Sequence, residues 1–149
     1  MLILRNDRLN GCIVSSGTTP NIDWETSGFS GQFLHRIKIT GPIGLEERLP
    51  VYRATLDISK SKDYFALVDN RDGHEDTMSY PVMLRLCELF LEAGVKNICT
   101  AIVTSNERYK DITKLSSAVA TLKNLRFENT TTADFAEAEK FILSRLREA

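Results

Sequence analysis

The sequence predicts an α/β protein with a mixed, mostly parallel sheet covered by helices. Short apolar segments of strand length alternate along the chain with longer segments whose apolar residues recur at helical spacing. Residues 65–68 are apolar at every position, which is typical of a strand that is buried on both faces of a parallel sheet. The links between segments are short, so strands joined by helices should run parallel with right-handed crossovers.

Size and charge limit the class of protein. The 149 residues predict one domain, with N-terminal strands and a loop in residues 1–31 and the core in residues 32–149. The net charge of −1, without a basic run, gives no electrostatic reason to expect a nucleic acid partner. No apolar stretch reaches the roughly 18 residues of a membrane-spanning helix, and the N-terminus does not resemble a signal peptide. We therefore expect a cytoplasmic protein.

The three cysteines, Cys12, Cys87 and Cys99, stand far apart and include no CxxC pair. This spacing fits neither a zinc site nor a dithiol redox pair. The three cysteines are expected to be small buried side chains in a reducing compartment. The sequence therefore gives no reason to expect a bound metal or a cofactor.

The first 31 residues show the weakest pattern. Residues 2–4 and 12–15 are predicted as short strands, with Asn10-Gly11 as the turn between them, at an antiparallel edge of the sheet. Residues 17–31 are rich in Gly, Ser and Thr and predict a long loop. Trp24 in that loop is expected to anchor it to the domain or to contact a partner.

The middle of the chain has clearer elements. Residues 32–40 alternate as a half-buried strand, and His35 on its apolar face is expected to be a hydrogen-bonded core residue rather than a ligand. A helix should follow, with Pro50 tolerated only in its first turn. Residues 63–69 are predicted as a strand at the centre of the sheet, and residues 77–93 as the next helix.

The last third repeats the alternation. Residues 98–103 predict a strand, and Thr104-Ser105-Asn106-Glu107 has the spacing of a capping box that begins the next helix. Residues 125–128 predict a short last strand, and residues 130–132 are expected to cap the final helix. The buried stripe of that helix should consist of Phe135, Ala138, Ile142 and Leu146.

A cluster of polar side chains follows the central strand in residues 69–76. Open α/β sheets usually place ligand sites at the carboxyl ends of their strands. A binding surface is therefore predicted here, made up of Asp69, Asp72, His74, Asp76 and Thr77. The same carboxylates and histidine could hold a divalent cation or act as acid–base groups, although the spacing fits neither an EF-hand nor a zinc helix. A solvated surface loop explains them equally well.

Thr77 and Ser79 are two hydroxyls at the predicted start of the next helix. Hydroxyls at this position commonly accept a hydrogen bond from a backbone N–H of the first turn. A phosphoryl group there would be stabilised by the helix dipole. Capping and phosphorylation both remain open for these residues.

The order of elements resembles the STAS domain, and more specifically the SpoIIAA-like, or STAS/Sec14-like, group of small bacterial proteins. The similarity covers residues 32–146. The segment Ile37-Lys38-Ile39-Thr40-Gly41-Pro42-Ile43 resembles the opening strand and its Gly turn. Ala66-Leu67-Val68-Asp69 resembles the central strand that ends on Asp. Leu125-Arg126-Phe127-Glu128, followed by residues 134–138, resembles the terminal strand and helix.

The resemblance also implies where a phosphorylation site would lie. In anti-sigma-factor antagonists of this family, the helix after the central strand opens on Asp-Ser-Ser-Gly, whose first serine is phosphorylated. By position, Asp76 matches that Asp, Thr77 matches the phosphoacceptor, and Ser79 follows two residues later. This chain lacks the following Gly and has Pro81 nearby.

The resemblance implies a non-enzymatic binding or regulatory domain that acts on a protein partner or a small apolar ligand. A carrier of the Sec14-like type would hold that ligand between the sheet and residues 17–31. The alternative is a metal-assisted hydrolase or phosphotransfer protein that uses residues 69–76. The sequence leaves open whether the protein forms a homo-oligomer.

Overall fold

The computed structural model describes residues 12–149, which form one six-stranded sheet and four helices. The strands are β1 (Cys12–Thr19), β2 (Ile22–Phe29), β3 (Gln32–Ile39), β4 (Asp63–Asn70), β5 (Asn97–Thr104) and β6 (Arg126–Thr132). The helices are α1 (Leu45–Ser59), α2 (Tyr80–Glu92), α3 (Arg108–Leu122) and α4 (Phe135–Glu148). None of the helices in this part of the chain is long and apolar enough to cross a membrane.

Strand order across the sheet follows chain order from β1 to β6. The pairs β1–β2 and β2–β3 are antiparallel, whereas β3 to β6 are parallel. The predicted mixed, mostly parallel sheet is thus confirmed, with the predicted central strand inside it as β4. Because the three crossovers proceed in the same direction, a common handedness places α1, α2 and α3 on one face of the sheet. Helix α4 packs on the other face.

The two sheet faces divide the core into two layers. In β4, Tyr64 and Ala66 face α1, α2 and α3, whereas Phe65 and Leu67 face α4. All four side chains are buried, which explains why this strand is almost continuously apolar. The predicted stripe of the final helix is confirmed, since Ala138, Ile142 and Leu146 are buried and Phe135 packs against the same cluster.

The predicted long loop at residues 17–31 is wrong, because most of these residues form β1 and β2. Alternate residues of β2, namely Ile22, Trp24 and Thr26, are buried beneath α1 and its neighbours. Gly17 pairs with Trp24, and a Cβ at Gly17 would lie 2.7 Å from the indole nitrogen. The absence of a side chain at Gly17 therefore leaves room for the Trp24 ring. Although the composition of this segment is typical of a loop, β2 pairs with β1 on one side and with β3 on the other.

The predicted N-terminal edge is confirmed in part. Residues 12–15 begin β1, which lies at the edge of the sheet and pairs antiparallel with β2. The other predicted strand, at residues 2–4, lies outside the described residues.

Two predictions about the beginnings of helices are wrong: the position of Pro50 in α1 and the first residue of α2. Pro50 lies in the second turn of α1, because that helix already begins at Leu45 after the cap at Gly44. Helix α2 begins at Tyr80 rather than at residue 77, with Ser79 as its N-cap and Pro81 in its first turn. Proline fits the first turn because the N–H it lacks would have no helical partner there.

The predicted caps of the last two helices are also wrong. The Thr104 hydroxyl accepts a hydrogen bond from the Asn106 N–H at 3.0 Å, and α3 begins only at Arg108. Strand β6 continues to Thr132 because its threonines stay paired with β5. The Asp134 carboxylate therefore caps α4 instead, accepting hydrogen bonds from two N–H groups of the first turn.

His35 is a satisfied core histidine, as predicted. Its Nδ1 lies 2.7 Å from the Thr26 hydroxyl and its Nε2 lies 3.0 Å from the Ser59 hydroxyl. Ser59 donates its own proton to the Thr55 carbonyl, so it accepts from Nε2–H, and Nδ1 accepts from Thr26. Burial lowers the pKa of His35 from 6.5 to about 3, which keeps the ring neutral in the folded protein.

His35 should make the protein less stable in mild acid. Because its folded pKa of about 3 lies below the unfolded value of 6.5, only the unfolded state gains a proton between these values. The free energy of unfolding is fully maintained above pH 6.5 and should fall below it, with a slope approaching about 1.4 kcal/mol per pH unit. Urea unfolding of the wild type and of His35→Gln between pH 7 and pH 4 measures the difference.

His74→Gln is the matched control, since the chain has two histidines. We expect the slope to persist in His74→Gln and to shrink in His35→Gln. Equal slopes in the wild type and in His35→Gln would contradict this account.

Candidate functional site

An apolar cavity of about 120 Å³ lies between the sheet and helices α1, α2 and α3. We call it the sheet–helix cavity. Its floor comes from alternate residues of the central strands, including Ile37, Ala66, Val68, Thr100 and Ile102. Its roof comes from the helices, including Tyr52, Met83, Phe90 and Ile112.

Helix α2 provides part of the roof of the cavity. Its backbone approaches α1 and α3 more closely than it approaches the sheet. At its C-terminal end, the Phe90 ring contacts those of Tyr64 at 4.9 Å and Tyr52 at 5.3 Å, and these rings fill the space there. Towards the carboxyl ends of the strands, Val68 and Thr100 are only half-buried although they lie on two central strands. Helix packing therefore leaves part of the sheet face accessible.

A buried ion pair forms part of the cavity wall. Nη2 of Arg48 in α1 donates a hydrogen bond to Oδ2 of Asp76, which precedes α2. The side chains of Arg48 and Asp76 are only 8% and 1% exposed. Burial alone would lower the pKa of Arg48, but the charge of Asp76 outweighs it and raises that pKa above its ordinary value. The guanidinium is therefore charged, and the pair is a true salt bridge.

Three polar atoms of cavity-lining residues have no hydrogen-bond partner among residues 12–149. They are Arg48 Nη1, Asp76 Oδ1 and Thr100 Oγ1. A buried polar group without a partner destabilises the fold by about 1–3 kcal/mol, and more when it is charged. The cavity thus combines an apolar lining with one strong donor, one strong acceptor and one hydroxyl.

The residues of the predicted binding surface do not form one continuous surface, because the side chains of its acidic residues lie in different surroundings. Asp69 accepts hydrogen bonds from Arg71 Nε at 3.0 Å and Nη2 at 2.8 Å. Partial burial would raise the pKa of Asp69, but the hydrogen bonds and charge of Arg71 outweigh it and lower that pKa. Asp72 is 69% exposed, with its carboxylate 3.8 Å from His74 Nε2. Of the five predicted residues, Asp76 alone lines the sheet–helix cavity.

The first part of the loop between β4 and α2 is organised by the buried side chain of Asn70. The Asn70 side chain accepts a hydrogen bond from the His74 N–H at 2.9 Å and donates to the His74 carbonyl at 3.1 Å. It also donates to the Tyr109 hydroxyl at 3.2 Å. Burial, followed by the charge of Asp76, raises the pKa of Tyr109, so this phenol stays neutral. The buried amide fixes the loop to α3.

The carboxylates of residues 69–76 do not gather at one point in this structure. Within residues 12–149, no group of three or more His, Cys, Asp or Glu side chains is placed to hold a metal ion. Asp69 pairs with Arg71, and Asp76 pairs with Arg48. Arginines thus hold two of the loop carboxylates, and a cation-binding or acid–base role for this loop stays a hypothesis.

Thr77 does not lie at the helix N-terminus, contrary to the prediction. Its N–H and its hydroxyl both donate to the Ile43 carbonyl, at 3.0 Å and 3.3 Å, and Asp76 forms a parallel bridge with Ile43. These bonds keep residues 76–77 extended. Ser79 occupies the cap position, accepting from the Val82 N–H at 3.5 Å. Both hydroxyl residues are exposed, and phosphorylation of Thr77 or Ser79 stays a prediction.

Sequence reasoning missed Arg48, although the pattern contained a signal. Arg48 shares a helical face with Val51 and Thr55, which are both buried. A charge on such a face must find a partner. The partner, Asp76, lies 28 residues away and could not be identified from spacing alone.

Solved structures include proteins that are similar to this chain. This chain is similar to an uncharacterized protein from the DUF3478 family with a SpoIIAA-like fold, from Shewanella loihica. The match has 18% identity and a TM-score of 0.49, and it covers 87% of this chain and 98% of that chain. No family model matches the chain, and no curated protein matches it.

The two acidic residues Asp76 and Asp72 should differ sharply in their effect on stability. Asp76→Ala is expected to lower the free energy of unfolding by about 3–5 kcal/mol, because it leaves the Arg48 charge buried and unpaired. Asp72→Ala, the same change in the same loop, should lower it by less than about 0.5 kcal/mol, because that carboxylate is solvated. Urea denaturation at pH 7 measures both, and similar losses would show that Asp76 is not the structural anchor.

Proposed function

We propose that this protein is a binding domain whose ligand is a small, mainly apolar molecule held in the sheet–helix cavity. The observation that carries the proposal is the half-buried state of Val68 and Thr100 on two central strands. Side chains at such positions are normally sealed by the helices above them, because protein interiors are close-packed. An apolar, partly accessible floor gives a ligand surface to cover.

The size of the cavity supports a compact ligand. Its volume of about 120 Å³ is similar to that of an engineered apolar cavity of about 150 Å³ that binds benzene in another protein. A single ring or a short acyl chain matches this space. A lipid with two long chains is too large for this space, so the proposed protein is not a general lipid carrier.

The titratable groups in the lining favour binding over covalent chemistry. Burial raises the pKa of the Cys87 thiol, so it stays protonated and is a poor nucleophile. Burial also raises the pKa of Tyr52, so its hydroxyl stays neutral at physiological pH. Neither group supplies the activated nucleophile or the base that acyl or phosphoryl transfer would require.

The proposed site differs from the one that the sequence suggested. A pocket between the sheet and residues 17–31 was expected, but those residues belong to the sheet itself as β1 and β2. Ile22 is the single residue of that segment that lines the sheet–helix cavity. The ligand therefore binds under the helices, on the side opposite to α4.

Toluene binding tests the proposal. We expect titration with toluene, followed by ¹H–¹⁵N NMR, to shift the amide signals of β4, β5 and α2. Val68→Phe should abolish these shifts because the larger ring fills the floor of the cavity. Val14→Phe is the matched control, since Val14 is 52% exposed on the edge strand β1 and does not line the cavity.

Saturable shifts in the wild type and in Val14→Phe, together with their loss in Val68→Phe, would support the proposal. Toluene shifts that are absent, or equal in all three proteins, would overturn it. Native mass spectrometry of freshly purified protein would add the mass of any co-purified ligand.

A further inference from the structure

We infer that the ligand carries a neutral head group that both donates and accepts hydrogen bonds, a hydroxyl or a primary amide, and that this head binds between Arg48 and Asp76. The inference rests on the proposed function and specifies its ligand class. The apolar body of the ligand would then lie over Val68 and beneath Phe90.

Two complementary atoms of the buried ion pair carry the inference. The pair uses Nη2 of Arg48 and Oδ2 of Asp76 for its mutual contact. Arg48 Nη1 and Asp76 Oδ1 make no hydrogen bond of standard geometry among the described residues, in side chains that are 8% and 1% exposed. Tyr52 interacts with Arg48 and Tyr109 interacts with Asp76, so a ligand head competes with these two phenols for the pair. One is a charged donor and the other a charged acceptor, and hydrogen bonds to charged groups are the strong ones. A hydroxyl or amide can accept from the first and donate to the second.

The charge balance of the site selects a neutral head. Arg48 and Asp76 cancel each other, and the neighbouring Tyr52 and Tyr109 are both neutral because burial raises their pKa values. A carboxylate bound there would be attracted by Arg48 but repelled by Asp76. An ammonium group would be attracted by Asp76 but repelled by Arg48. Either ion would bring a net charge into a buried site, which is strongly unfavourable.

Thr100 supplies a further polar point on the floor of the cavity. Its hydroxyl makes no hydrogen bond within residues 12–149, and it lies on β5, where it pairs with Ala66 of β4. A ligand with a second polar atom on its body would satisfy this hydroxyl. Thr100 therefore serves as a specificity residue, whereas the ion pair recognises the head group.

Four probes with one benzene ring test the head group: toluene, benzyl alcohol, benzoate and benzylammonium. Dissociation constants are measured by ¹H–¹⁵N NMR titration at pH 7 on the unmodified protein. We expect benzyl alcohol to bind at least tenfold more tightly than benzoate and benzylammonium. This ranking needs no variant, so it cannot be lost through misfolding.

The contribution of the ion pair is then measured with the double variant Arg48→Met, Asp76→Leu. Replacing both members by apolar residues avoids a buried unpaired charge and is often neutral for stability. The affinity of benzyl alcohol relative to toluene should fall about tenfold in this variant, which corresponds to about 1.4 kcal/mol. The control is Arg145→Met, Glu128→Leu, which removes an ion pair on the α4 side of the sheet and should leave the ratio unchanged.

The outcomes separate this inference from the proposed function. Failure of toluene to bind the wild type would overturn the proposed function. Toluene binding with an unchanged alcohol-to-toluene ratio in the double variant would overturn the head-group inference alone. Tighter binding of benzoate or benzylammonium than of benzyl alcohol would also overturn it, because the site would then select a charged ligand.

Discussion

The buried ion pair between Arg48 and Asp76 constrains the architecture around the sheet–helix cavity. It connects α1 to the loop that leads from β4 into α2, so two segments far apart in sequence are fixed at one point. Backbone hydrogen bonds reinforce the connection, from the Ile43 N–H to the Glu75 carbonyl and from the Thr77 N–H to the Ile43 carbonyl, each at 3.0 Å. Neither partner can be removed alone without leaving a buried, unpaired charge.

Helix α2 is fixed at both of its ends, and Met83 and Cys87 between them are buried in the core. The ion pair and its backbone bonds hold the segment before the helix, while the ring contacts of Phe90 with Tyr52 and Tyr64 hold its C-terminal end. The sheet–helix cavity lies beneath this helix, and its lining combines the polar Arg48 and Asp76 with the apolar Val68.

Local patterns identified much of the fold but little of the site. The apolar run of β4 and the stripe of α4 could be recognised because burial on both faces or on one helix face leaves a regular spacing. Strand β2 was missed because pairing with β1 and β3, not side-chain composition, makes it a strand. The high density of charged residues in the acidic loop predicted a site there, but the contact that forms the cavity wall joins Asp76 to Arg48, 28 residues away. Long-range pairing of this kind leaves no trace in sequence spacing.

The central claim is that an accessible apolar space lies over Val68 and Thr100. A crystal of the unmodified protein pressurised with xenon tests it most directly, because xenon enters apolar cavities without requiring any particular polar group. The account predicts a xenon atom bound between Val68 and the side chains of α2, with the Arg48–Asp76 contact intact. Side chains of α2 packed directly onto β4 and β5, with no xenon between them, would contradict it.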